Sequence, residues 1–198
     1  MGIDISFDGT GFDWSALLSN GIGAIVALAG VGLAAHFAKK HARAARRATV
    51  IGGVKALWAE MTANFTRYEA MLAQTVRTLE ADHYLTVNWP IHSEYFSVYA
   101  ANAGLLGELG DDKLAADIIE AVTAAKGLVD SLRLNLEMVE ELAAMRGRAN
   151  TGAGGLDLEA EIEAHETQLV TYAAGIKTID GRLTAAMKEM APRIAALE

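Results

Sequence analysis

Histidine side chains are the first residues of this chain whose chemistry could define a site, because imidazole binds metals and moves protons near neutral pH. His83 and His92, with Asp82 and Glu94 nearby, form the one local group of mixed metal ligands in the sequence. Their spacing matches no standard zinc or di-iron arrangement, and the Glu-x-x-His motif does not occur on two helices. We therefore predict no metal ion and no other cofactor, and interpret this stretch as an exposed polar connection.

Carboxylates are the next candidates, since paired acids can perform acid and base catalysis. Glu140-Glu141 and the series Glu159, Glu161 and Glu163 are instead typical of solvated helix faces. The chain has no cysteine and lacks a G-x-S-x-G elbow, a Walker loop and an H-E-x-x-H helix. We predict that the protein is not an enzyme. A catalytic site assembled from scattered residues is the alternative.

An aromatic cluster is the remaining group that could bind something: Trp89, Tyr95, Phe96 and Tyr99. It follows Asn88-Trp89-Pro90, which interrupts helical continuity, and it most simply forms the core side of a short helix. The alternative is a groove that binds a protein partner. Gly110 is expected to end this helix, and Asp111 or Asp112 to cap the next.

The opening of the chain decides where these residues work. From Trp14 to Ala38 there is no charged side chain if His36 is neutral, and the mean hydropathy of the whole chain is positive, at +0.21. A helix over 14–38 is about 37 Å long, enough to cross a hydrocarbon core of about 30 Å. We predict a transmembrane helix.

Three other interpretations of the opening are weaker. A cleaved secretory signal would have a basic start and a shorter apolar core, whereas residues 1–13 are acidic. "GVGLAA", residues 30–35, fits G-x-G-x-x-A but lacks the preceding strand of a dinucleotide-binding unit. A buried core helix needs surroundings that a small helical domain does not provide.

Five bases follow the span, at Lys39, Lys40, Arg43, Arg46 and Arg47. Lys and Arg beside a span stay on the cytoplasmic side, so we expect the N-terminus outside and the rest of the chain in the cytoplasm. The same block can lie on anionic headgroups, and His36 and His41 bracket that surface. The predicted location is the inner (cytoplasmic) membrane of a bacterium, with the lipid bilayer as a partner.

Charge is unevenly distributed along the chain, whose formal net charge is −8. Residues 1–13 carry three acids and no base, and residues 39–47 carry five bases and no acid, which leaves −10 on residues 48–198. A body this acidic is a poor match for phosphate backbones, so we expect no nucleic-acid partner.

Small residues recur at a spacing of four in the predicted span: Ser19, Gly23 and Ala27, and again Gly30 and Ala34. This spacing lets a second transmembrane helix approach closely. It favours a homo-oligomer.

The rest of the chain shows apolar residues at alternating spacings of three and four, which predicts long amphipathic helices. The three seams are Val54, Trp58, Met61, Phe65, Tyr68, Leu72, Thr75 and Leu79; Ile118, Val122, Ala125, Val129, Leu132, Leu136 and Val139; and Leu158, Ile162, His165, Leu169, Tyr172, Ile176, Ile179 and Leu183. On such a seam His165 is more often a hydrogen-bonded core or interface residue than a ligand.

Breaks between these helices come from glycine and proline. Gly52-Gly53 could mark a hinge, Arg146–Gly155 is the clearest loop, and Pro192 is expected to end or kink the last helix. "YLTVNW", residues 84–89, alternates like a strand but is too isolated to pair.

The predicted fold is all-α, with one N-terminal transmembrane helix and a cytosolic antiparallel bundle of three to four helices with coiled-coil-like packing. Residues 1–13 form a short extracytoplasmic N-terminus, 14–38 the span, 39–53 a basic juxtamembrane segment and 54–198 the bundle. The plan is similar to that of bacterial proteins with one span and a small helical domain, in architecture only. We expect a scaffold that works by self-association or partner docking. The alternative is an oligomeric membrane-active or channel-forming protein.

Overall fold

The computed structural model describes residues 14–86, 95–152 and 156–197, with side chains from Gly30 onward except that of Leu156. The helices are α1 (Trp14–Tyr68), α2 (Gln74–Thr78), α3 (Ser97–Asn102), α4 (Asp112–Asn150) and α5 (Leu156–Ala195), with a π-helix at Glu69–Ala73 and a 3₁₀ helix at Ala103–Glu108. The described residues contain no β-strand, which confirms the all-α prediction.

Contacts divide the chain into two compact units, residues 1–47 and residues 48–198. We call the second unit the bundle. The division falls within α1, between Arg47 and Ala48. In the first unit, residues 30–47 are helical and exposed without exception.

Among the residues that the structure describes, none of the helices combines the length and the apolar character that crossing a membrane requires. The predicted span, 14–38, lies mostly in the stretch 14–29, whose side chains are outside the described part. The transmembrane helix therefore stays a prediction.

The bundle is organised by the hairpin of α4 and α5. Ion pairs link Glu120 to Arg182 at 3.0 Å and Arg146 to Glu166 at 2.6 Å, so residue numbers rise along one helix as they fall along the other. The two helices are antiparallel. The C-terminal part of α1 packs on this hairpin through buried Val54, Leu57 and Met61.

The α5 seam is confirmed for Leu158, Leu169, Ile176 and Leu183, which are buried, whereas its other four residues, Ile162, His165, Tyr172 and Ile179, are half-buried. The α4 seam is confirmed for Ile118, Val122, Ala125 and Leu132. Val129, Leu136 and Val139 are only half-buried, while the fully buried positions are Leu128, Asn135 and Met138. The buried face of α4 is thus displaced by one residue from the predicted seam at these three positions.

The π-helix changes which residues of the first seam face the core. A π-helix adds one residue per turn and so shifts the helical register by one position. Thr75, which the seam predicted to be buried, is exposed, and Val76 is buried instead. A regular 3.6-residue period cannot anticipate this shift.

Three predicted breaks differ from the structure. The loop at 146–155 is shorter than predicted, because α4 remains helical through Asn150 and the described turn contains Gly152 at φ +70°. Gly52 and Gly53 lie inside α1 rather than at a hinge, and a Cβ on Gly53 would overlap with the Leu105 side chain. Pro192 does not end α5, which continues to Ala195.

The start of α4 agrees with the prediction. Gly110 adopts φ +76°, a left-handed conformation that glycine accepts without strain. Asp111 is the N-cap, and its carboxylate accepts a hydrogen bond of 2.8 Å from the Leu114 backbone N–H.

Candidate functional site

The aromatic segment is the sequence-predicted group that the structure brings together best. Tyr95, Phe96 and Tyr99 are half-buried at the start of α3, and Trp89 lies outside the described residues. The Tyr95 and Phe96 ring centroids are 6.4 Å apart, within the range of favourable aromatic pairs. We call residues 95–109, which include α3 and the 3₁₀ helix, the strap.

Two side chains of α1, one helical turn apart, hold the beginning of the strap. The Glu60 carboxylate accepts hydrogen bonds from the backbone N–H groups of Val98 and Tyr99, both at 2.9 Å. Asn64 donates from Nδ2 to the carbonyl oxygen of Tyr95 at 2.6 Å. Because the first N–H groups of a helix have no partner within it, Glu60 acts as a cap supplied by another helix.

The strap also contacts α4 through a cation–π interaction. Lys126 Nζ lies 5.7 Å from the ring centroid of Phe96 and 5.0 Å from that of Tyr99. Such contacts at exposed sites contribute about 0.5–1 kcal/mol. No residue of α3 is fully buried, so these polar contacts add to the packing of half-buried Phe96 and Tyr99 on the core.

An apolar cavity of about 40 Å³ lies beneath the strap. Its wall includes Tyr95 and Phe96 from the strap, Met61 and Phe65 from α1, and Leu128 from α4. Its lining is almost wholly apolar, which suits an apolar side chain or ligand group better than a charged one.

A buried polar network adjoins this cavity through Tyr68, and the sequence analysis missed it. Asp180 on α5 is only 2% exposed. Its carboxylate accepts hydrogen bonds from Tyr68 Oη at 3.0 Å, from Arg77 Nε at 2.8 Å and from Arg77 Nη2 at 2.9 Å. Arg77 also donates to Glu69 and to Thr184 Oγ1. One guanidinium thus joins the π-helix, α2 and α5.

The network shifts the proton affinity of two of its members. Burial, and secondarily the Asp180 carboxylate, raises the pKa of the Tyr68 hydroxyl well above its usual value. Hydrogen bonds to Glu69 and then to Asp180 raise the pKa of the Arg77 guanidinium. Both shifts favour the protonated forms, which donate the hydrogen bonds of the network.

The sequence did contain a signal for Asp180. The fully buried residues of α5 continue at spacings of four and three as Leu169, Ala173, Ile176, Asp180, Leu183, Met187, Met190 and Ile194. An acid at a core position of a heptad pattern indicates a buried partner. The predicted seam placed Ile179 there, and Ile179 is half-buried.

Asn135 is a second buried polar residue at a core position, on α4, with an exposure of 1%. Its Nδ2 donates to the carbonyl oxygen of Leu85 at 2.8 Å, whereas its Oδ1 is buried and has no hydrogen-bond partner among the described residues. This contact fastens the segment after α2 to α4, close to a small apolar cluster of Met138, Leu142 and Leu169.

Two histidines have contacts that bear on a possible metal site, His165 and His83. His165 is half-buried, and its Nε2 lies 2.8 Å from the carbonyl oxygen of Met138, which is the hydrogen-bonded core role that its seam position predicted. Glu80, Asp82 and His83 place one ligand atom each within 4.8 Å of one another, and within the described residues they form the one group of this kind. All three are exposed. His92 and Glu94 lie outside the described part.

His83 is paired with its own neighbours. Its Nδ1 lies 2.9 Å from Asp82 Oδ1 and 3.6 Å from Glu80 Oε2. The Asp82 hydrogen bond raises the pKa of the His83 ring and lowers that of the Asp82 carboxyl. The geometry is that of a surface ion pair.

The residues predicted to pack or contact a membrane lie on α1. Gly30 and Ala34 are exposed, as are the five bases Lys39, Lys40, Arg43, Arg46 and Arg47. Ser19, Gly23 and Ala27 fall in the helical part whose side chains the structure does not describe.

Comparisons of the chain with protein-family models, with curated proteins and with solved structures give no match.

Proposed function

We propose that this chain is a single-pass membrane protein of the bacterial inner membrane, whose bundle is held at the cytoplasmic face and acts by self-association or by docking another protein. The observation that carries the proposal is the uncharged stretch 14–38 followed directly by five bases on one continuous helix. A bilayer accommodates this order of residues, with the apolar part in hydrocarbon and the bases among headgroups.

Exposed apolar side chains at the end of the uncharged stretch support the same proposal. Val31, Leu33 and Phe37 are 67%, 60% and 49% exposed. Three large apolar side chains are exposed within seven residues, on more than one side of the helix. Lipid would cover all of them.

The strap supports an interaction role for the bundle. Aromatic side chains are enriched where proteins bind one another, and Tyr95, Phe96 and Tyr99 are only half-buried. The Asp180 carboxylate, in contrast, has both oxygens engaged by Tyr68 and Arg77, which suits a structural function. We propose the strap as the docking surface of the bundle.

Self-association is proposed to use the span. The seams of α4 and α5 could have paired between chains, but within the described residues they are packed against each other and against α1. The spacing of Ser19, Gly23 and Ala27 offers a separate surface that does not require the bundle to open.

Membrane anchoring is tested by washing membranes that contain the full chain with alkaline carbonate, which strips peripheral proteins. The chain should stay in the membrane pellet, and it should enter the supernatant only when detergent dissolves the bilayer. Release by carbonate alone would contradict the proposed span.

The association surface is tested by cross-linking in intact membranes. Gly23→Leu should reduce discrete multimers, because it adds bulk where a second backbone would approach. Gly21→Leu makes the same substitution about 160° around the helix from Gly23, so it is the matched control and should leave the multimers unchanged. Equal effects of the two substitutions would remove the small-residue face from the proposal.

A further inference from the structure

The five bases of α1 lie on one face of the helix, which we call the basic face. With 3.6 residues per turn, Lys39, Lys40, Arg43, Arg46 and Arg47 fall within an arc of about 120°. The rest of the circumference over 37–48 is uncharged if His41 is neutral, and it consists mainly of alanines, at positions 38, 42, 44, 45 and 48. Retention of a loop in the cytoplasm requires only that bases be near the span, so it does not explain this one-sided placement.

The surroundings of the basic face favour an anionic partner. No acidic residue occurs between Asp13 and Glu60, so the bases determine the sign of the charge of this segment. All five side chains are exposed. Residues 48–198 carry a net charge of −10, so the bundle as a whole repels anions. Attraction of an anionic partner must therefore come from the basic face.

From this placement we infer that the basic face binds the phosphate groups of anionic phospholipids in the bilayer. The inference rests on the proposed function, in which the preceding residues cross the membrane, and adds a preference for one class of lipid. A helix that leaves the bilayer at a tilt brings one face to the headgroups, and bases gathered on that face reach phosphates together. An alanine face has little apolar surface to insert, so the contact is electrostatic and falls with added salt.

The test uses mass spectrometry to measure how fast Lys39 and Lys40 of the full chain react with an uncharged amine-reactive reagent. The chain is reconstituted into vesicles of phosphatidylcholine alone and of phosphatidylcholine with phosphatidylglycerol. Lys55, which is exposed in the bundle, is the internal reference. Phosphatidylglycerol should slow the reaction of Lys39 and Lys40 about fivefold relative to Lys55, and salt should reverse this. Equal rates in the two kinds of vesicle would overturn the inference.

A matched variant separates the effect of placing the bases on one face from the effect of their number. It exchanges three arginines with neighbouring alanines and keeps composition and net charge: Ala42→Arg, Arg43→Ala, Ala45→Arg, Arg46→Ala, Arg47→Ala and Ala48→Arg. This spreads the bases around the helix, so the protection of Lys39 and Lys40 by phosphatidylglycerol should fall to less than about half. Unchanged protection would show that charge count alone matters and would contradict a binding face.

Two further arms identify the source of the effect. Inorganic phosphate added to phosphatidylcholine vesicles at matched ionic strength should give no protection; protection there would assign the face to a soluble anion instead. A carbonate wash of the same vesicles tests the span separately. If phosphatidylglycerol protects the lysines but carbonate releases the chain, the basic face is supported and the span is rejected. If the chain resists carbonate but the lysines are not protected, the span is supported and the basic face is rejected.

Discussion

Residues 30–47 and the bundle differ in nearly every property that determines where a protein segment is stable. The first are helical, exposed and free of acids, with apolar side chains that lead into five bases. The bundle carries a net charge of −10 and buries most of its large apolar residues, with Met71, Ile119 and Leu134 as exposed exceptions. This difference is the reason why we propose a membrane for the N-terminal helix and none for the core of the bundle.

The largest expected effect comes from separating the two regions. A shortened chain that starts at Ala48 keeps the whole described core from Val50 onward, so it should be soluble, strongly helical and cooperative in unfolding. Circular dichroism and denaturant titration measure this. A disordered chain would show that the bundle depends on residues 1–47 or on a membrane, and the contrast between the regions would fail.

Within the bundle, the Arg77–Asp180 pair should matter most. Arg77→Ala leaves the buried Asp180 carboxylate without its cation, and we expect a loss of about 3 kcal/mol, since the Arg77 side chain is itself about one-third exposed, at 35%. Chemical denaturation of the shortened chain measures it.

A double variant gives the control for that pair. Arg77→Ala with Asp180→Asn removes the unpaired charge, so it should lose less than the sum of the two single variants. Additive losses would mean that the two side chains do not act on one another. Carbonate resistance of the full-length variants should not change, because the membrane segment is elsewhere in the chain.

Tyr68 should make the stability of the bundle depend on pH in the alkaline range. Its pKa is raised in the folded state, so the stability it contributes is present below the unfolded value of 10.0 and is lost as the pH rises above that value. We expect the free energy of unfolding to fall above about pH 10 more steeply in the wild type than in Tyr68→Phe. Tyr68→Phe itself should cost about 1–2 kcal/mol at neutral pH, through the lost hydrogen bond to Asp180. Parallel pH curves would contradict this role.

Glu60 should have a smaller and more local effect. Glu60→Ala removes the cap of α3, and we expect a loss of about 1 kcal/mol, together with faster hydrogen exchange at the amides of Val98 and Tyr99. Glu120→Ala, which loses only an exposed ion pair with Arg182, is the control. If the Val98 and Tyr99 amides exchange no faster in Glu60→Ala than in the control, the strap is held by its apolar contacts.

The sequence predicted the regular parts of this fold because their signal is periodic. Leu158, Leu169, Ile176 and Leu183 of the α5 seam are buried, and Gly110 and Asp111 mark the boundary before α4 as expected. Some errors are shifts of one position inside regular helices, as from Val129 to Leu128 in α4, and one falls where the regular period is broken. The π-helix moved the buried position from Thr75 to Val76, and neither residue type signals the extra residue.

The candidate site was only partly predictable. The aromatic residues were visible as a cluster, and Tyr95, Phe96 and Tyr99 do lie together. Their attachment depends on Glu60 and Asn64, more than thirty residues earlier, and a spacing rule does not connect positions that far apart. Asp180 could have been found, because an acid at a heptad core position is unusual.

The most direct test of the membrane account is the location of the C-terminus. Alkaline phosphatase, which is active only outside the cytoplasm, is fused after Glu198 in a bacterial host, and a fluorescent protein that folds in the cytoplasm is fused there in a parallel strain. Because the bases at 39–47 follow the span, we expect fluorescence in the membrane fraction and no phosphatase activity. Phosphatase activity without fluorescence would place the bundle outside the cytoplasm and contradict the proposed topology.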